Sequence, residues 1–113
     1  MFISSSFLSN VPKYPAVYAM YGGTGRSQYV AYVGIAKNLR QRLEQHLIRR
    51  DSSVTTGTSA STLNPDYVTE IRWWTHSRFS DRAALEAAEI IAFNLAQLLG
   101  GRSISWTSHR IFI

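Results

Sequence analysis

The chain has 113 residues, 45% of them hydrophobic and none of them cysteine, with a formal charge of +5. That length predicts one domain, 1–113, with a single modest core. The missing thiols exclude a disulfide framework, thiolate zinc sites and cysteine catalysis, and no apolar run nears the roughly 18 residues of a membrane span.

The charge is unevenly placed. Residues 1–50 hold seven Lys or Arg against one acid, Glu44, whereas residues 51–113 hold five against six. Ten of the twelve cations are arginines, the planar side chain that grips phosphate with two hydrogen bonds. A one-sided basic surface suggests a polyanion partner. The opening MFISSSFLSN lacks a basic n-region and a continuous apolar stretch, so a signal peptide is not expected and a cytoplasmic setting fits.

Residues 1–13 read as a loosely attached lead-in. AVYAMY, residues 16–21, favours extended backbone, with Pro15 at its start. GGTGRSQ, residues 22–28, is a glycine-rich turn, and YVAYVG, residues 29–34, is a second strand; the two make an antiparallel hairpin. Asn38 suits the cap of a helix on which Leu39, Leu43 and Leu47 form one apolar stripe, while Arg42 and His46 share another face. Residues 52–62 are a low-complexity polar stretch, expected to be mobile.

YVTEIRWWTH, residues 67–76, predicts a third strand, with adjacent Trp73 and Trp74 facing opposite sides. One tryptophan belongs in the core; the other covers a helix or meets nucleic acid. Ser80 or Asp81 caps an Ala-, Leu- and Glu-rich helix over residues 82–99, ended by Gly100 and Gly101. The tail ISWTSHRIFI is compatible with one or two short strands. The order predicts an α+β fold: a small, mainly antiparallel three-stranded sheet flanked by helices, with room for an extra C-terminal strand.

Phosphodiester hydrolysis needs an oriented water, positive charge where the phosphorus centre gains negative charge, and stabilisation of the leaving oxygen. Two tyrosines, an arginine, a histidine and a helical glutamate can supply these. In their order along the chain they resemble the GIY-YIG nuclease family. Ala16-Val17-Tyr18 stands for the first triplet and Tyr32-Val33-Gly34 for the second. Arg42 follows Gly34 by eight residues, His46 lies four beyond, and AALEAAEIIAF resembles the family's glutamate helix. The likeness covers residues 14–95. Ala16 replaces the first glycine, the gap from Tyr18 to Tyr32 is longer than usual, and the asparagine that often follows the glutamate helix has no counterpart.

The resemblance implies roles. Tyr18 orients or deprotonates the attacking water, Tyr32 shares its hydrogen bonds, Arg42 clamps the scissile phosphate, and His46 assists proton transfer or contacts phosphate. Gly34 leaves space at the strand end. Glu86 binds one divalent metal, Mg2+ or Mn2+, with Glu89 as the alternative. Lys37, Arg40, Arg49 and Arg50 contact the nucleic-acid backbone. The activity implied is a metal-dependent endonuclease cutting DNA, branched or damaged forms included. The alternatives are a catalytically silent nucleic-acid-binding module on the same scaffold and an RNA-directed nuclease. Specificity would then come from loops, a homodimer, a partner protein or substrate shape.

Overall fold

The computed structural model describes residues 5–48, 65–97 and 106–113. Strand β1 (Ala16–Gly22) lies between β2 (Tyr29–Ala36) and β3 (Val68–Thr75), and β4 (Thr107–Phe112) adds to the far side of β3. Every pairing is antiparallel, in the order β2-β1-β3-β4. The architecture is the expected α+β class, with the tail contributing one strand to make a four-stranded sheet. β2 runs two residues past the predicted strand end, to Ala36.

All seven residues of β1 are buried, because both faces of the sheet are covered. Helix α1 (Leu39–Leu47) packs on one face, where Leu39, Leu43 and Leu47 meet Tyr18, Met20, Tyr32, Ile71 and Trp73. Burying each leucine is worth about 1.5–3 kcal/mol. Helix α2 (Arg82–Gln97) covers the other face, with Leu85, Ala88 and Ala92 against Val17, Ala19, Tyr21, Val33 and Trp74. Alternation along β3 thus sends Trp73 and Trp74 into opposite layers, and both are buried. Of the two expectations for the second tryptophan, covering a helix is the one seen: Trp74 packs against α2.

The helix starts follow the sequence. Asn38 Oδ1 accepts the Gln41 N–H at 3.1 Å, and Asp81 Oδ1 accepts the Ala83 N–H at 3.2 Å. The predicted mobile stretch, residues 52–62, and the helix end at Gly100 and Gly101 lie outside the described residues.

The described part of the lead-in, residues 5–13, is not loose. Residues Ser5–Asn10 form a 3-10 turn that buries Leu8, and Val11 is fully buried beyond it. Arg40 fastens this segment: its Nε donates to the Val11 carbonyl at 2.7 Å and its Nη2 to the Ser9 carbonyl at 3.1 Å. A guanidinium used this way is a structural clamp, a role the sequence reading of Arg40 as a nucleic-acid contact did not include.

The glycine-rich connection holds Gly23 and Gly25 at φ of 71° and 55°, the left-handed region. Its far end is tied to β3, where Gln28 Nε2 donates to Glu70 Oε1 at 2.8 Å and Arg72 Nε donates to Oε2 at 2.5 Å. Burial pushes the Glu70 carboxyl up, but these bonds outweigh it and hold the group below its usual range.

Candidate active site

Tyr18 and Tyr32 point from neighbouring strands into the α1 layer, because Tyr18 pairs with Gly34 and Gly34 stands two residues from Tyr32 on the same face. Their rings stack with centroids 5.9 Å apart. Gly34 makes this possible. A Cβ there would lie 2.7 Å from Tyr32 Cε1 and 2.8 Å from the Tyr18 hydroxyl. The glycine therefore makes room for the two phenols, from within β2 and not at its end.

His46 descends from α1 onto the same pair. Its Nε2 lies 2.8 Å from the Tyr18 hydroxyl, and its ring centroid is 4.7 Å from that of Tyr32. His46 is 1% exposed, and Nδ1 has no hydrogen-bond partner among the described residues. Burial, reinforced by the nearby Arg42 guanidinium, lowers its pKa to about 4. The imidazole is consequently neutral at neutral pH, with one basic nitrogen.

Arg42 acts electrostatically on all three aromatic groups: its charge lowers the pKa values of Tyr18, Tyr32 and His46. For the phenols it does not win. Burial is the largest influence on each, holding Tyr18 well above the ordinary 10 and Tyr32 above it. Both are protonated at neutral pH and serve as hydrogen-bonding groups. Their mutual hydrogen-bonding interaction raises the Tyr18 pKa and lowers that of Tyr32. Tyr18 lies between the other two, hydrogen-bonded to His46 and stacked on Tyr32.

The two candidate acids diverge. Glu86 is exposed on α2, where Arg82 Nε donates to its Oε1 at 3.0 Å in an i,i+4 pair. Glu89 is half-buried and bears electrostatically on Tyr18 and Tyr32. Its pKa is raised by burial, countered by Arg82 and reinforced by Glu86. In the sequence, Glu86 fits the family's helix better than Glu89 through its small and apolar flanks, with Ile90 four residues beyond. Ile90 and Ile91, however, are 69% and 45% exposed. The buried stripe of α2 is Leu85, Ala88 and Ala92, which sets Glu89 beside the packed face.

Lys37 is exposed at the end of β2, while Arg49 and Arg50 lie outside the described residues. Lys37 and Arg42 line a cavity of about 270 Å3 together with Arg82, a cation that the sequence reading left out. Its signal was available: Arg82 is one turn before Glu86 and two turns before Glu89 on the same helix.

Among the described residues no cluster of three or more His, Cys, Asp or Glu side chains forms a cage. A single half-buried carboxylate, Glu89, fits a magnesium-type ion that keeps waters and takes substrate phosphates as its remaining ligands.

The family model described as GIY-YIG catalytic domain matches residues 14–94. The UvrABC system protein C of Saccharophagus degradans is 50% identical over 46 residues, which are 41% of this chain and 7% of that protein. The chain thus matches a small part of the length of this curated relative. No solved structure matches the chain significantly. No helix among the described residues is long and apolar enough to cross a membrane.

Proposed function

The chain belongs to the GIY-YIG family of nuclease catalytic domains, and from that footing we propose that it is a metal-dependent endonuclease hydrolysing phosphodiester bonds in DNA. The observation that carries this reading is the convergence of Arg42 on Tyr18, Tyr32 and His46. A cation beside three neutral proton-exchanging groups suits a reaction in which water attacks phosphorus and negative charge develops. The similar protein is component C of a UvrABC system, and the shared GIY-YIG catalytic domain supports a nucleic-acid substrate for this chain.

Arg42 stabilises the anionic phosphorus centre with paired N–H donors. Tyr32 retains 5% exposure and Tyr18 none, so Tyr32 is the phenol that meets the attacking water. As the water oxygen bonds to phosphorus, its proton passes along Tyr32 and Tyr18 towards the neutral His46 nitrogen. The bond from phosphorus to the leaving oxygen then breaks. Glu89 would hold the divalent cation, which when bound supplies Lewis-acid stabilisation of the leaving oxygen. Lys37, with Arg49 and Arg50, supplies non-sequence-specific backbone contacts. One such site cuts one strand per event, so a double-strand break requires a homodimer, a partner protein or repeated action. A reducing, cytoplasmic setting agrees with the cysteine-free chain.

Plasmid nicking with and without Mg2+, for the wild type and for Arg42→Ala, tests the proposal. The expected result is metal-dependent nicking that Arg42→Ala reduces by about 100-fold or more. Salt-sensitive binding without cleavage of any DNA or RNA would instead identify a silent binding module. Cleavage of RNA alone would reassign the substrate.

A further inference from the structure

Three cations from three elements converge on one hollow. Lys37 comes from the end of β2, Arg42 from α1 and Arg82 from the first turn of α2. The remaining polar lining is Asn38, Gln41 and Gln45, and no carboxylate is among the described residues that line it. Grouping like charges costs energy unless an anion compensates them. Amide side chains between the cations add hydrogen-bond donors suited to non-bridging oxygens.

Arg82 has two electrostatic neighbours on its helix. Its Nε donates to Glu86 at 3.0 Å, and its charge lowers the pKa of Glu89. The Glu86 pair is solvent-exposed, with the side chains 52% and 58% accessible. Exposed pairs of this sort contribute little to stability, so a phosphate can replace the carboxylate. Arg82 can therefore turn from Glu86 to a ligand in the hollow without a large penalty.

We infer that the Lys37–Arg42–Arg82 hollow is a subsite for a backbone phosphodiester of the substrate strand, with Arg82 as its closing side. The inference rests on the nuclease reading and adds a binding residue outside the tyrosine–histidine group. It also gives Glu86 a role: this acid competes with the phosphate for Arg82.

The test is equilibrium binding of a labelled DNA duplex in the absence of divalent metal, measured from low to high salt. The proteins are the wild type, Arg82→Ala, Arg82→Gln and Glu86→Ala, each checked for folding by circular dichroism. Arg82→Ala and Arg82→Gln are expected to weaken binding and to lower the slope of log affinity against log salt by about 0.9, the loss of one phosphate contact. Glu86→Ala is expected to tighten binding at low salt. An unchanged slope in both folded Arg82 variants, beside a salt-dependent wild type, overturns the subsite and leaves the nuclease reading intact. A wild type that binds no nucleic acid at any salt overturns both.

Discussion

The Tyr18 hydroxyl sits 2.8 Å from His46 Nε2 across the interface between β1 and α1, and both groups are essentially sealed from solvent. The contact joins the candidate chemistry to the core. Tyr18 is at once a packing residue of the α1 layer and the group that lies between His46 and Tyr32. Changes at either partner are therefore read in stability as well as in rate.

Acid should destabilise the fold through His46. Its folded pKa of about 4 lies below the ordinary 6.5, so the unfolded chain binds more protons between those values. Stability then rises with pH across that window and is lost as pH falls through it, by about 3 kcal/mol in full. Urea denaturation at pH 4.5 and pH 7 measures this. His46→Phe should flatten the dependence, and an equally steep slope in that variant would refute the assignment.

Glu89→Gln should abolish metal-dependent cleavage, by about 100-fold or more, and weaken Mg2+ binding measured by calorimetry. Glu86→Gln, on the exposed face, should cost far less. Raising Mg2+ should rescue neither the rate nor the affinity of Glu89→Gln to wild-type levels. The reverse ranking of the two variants would return the metal to Glu86.

Gly34→Ala should lower stability by about 1–3 kcal/mol through overpacking. The added methyl meets Tyr32 Cε1 at 2.7 Å and the Tyr18 hydroxyl at 2.8 Å, and both rings are boxed in by α1. Cleavage should fall with it, because the phenols must separate. A thermal melt and a nicking assay on the same preparation check both effects.

Arg40→Ala should release the residues around Leu8 and Val11. It removes charge-assisted bonds to the Val11 and Ser9 carbonyls, a loss of about 1.5–3 kcal/mol. Hydrogen exchange should speed up there, while the salt dependence of nucleic-acid binding stays as in the wild type. A reduced salt slope would place Arg40 on the binding surface.

The features readable in the sequence were local. Leu39, Leu43 and Leu47 recur at helical spacing, and Asn38 precedes them with a capping side chain. Tyr18 and Tyr32 could be set on neighbouring strands because a glycine-rich turn between two strand-like runs predicts a hairpin, whose register only the structure supplies. What escaped notice depended on distant contacts. Arg40 looks like any surface cation until the Val11 carbonyl is placed before it. Glu86 looked preferable for its small and apolar flanks, with Ile90 four residues beyond, yet Ile90 is exposed and α2 turns Leu85, Ala88 and Ala92 inward instead. The Lys37–Arg82 neighbourhood spans forty-five positions of chain and has no periodic signature.

β2 is a border strand, and the groups proposed to act on the substrate come from helices on opposite sides of the sheet. Arg42 comes from the helix on one face and Glu89 and Arg82 from the helix on the other, while Lys37, just past β2, shares one hollow with Arg42 and Arg82. The nuclease would therefore be a joint between two half-sites. Fraying of α2 alone would switch off metal capture while leaving the phenol–imidazole pair assembled behind it.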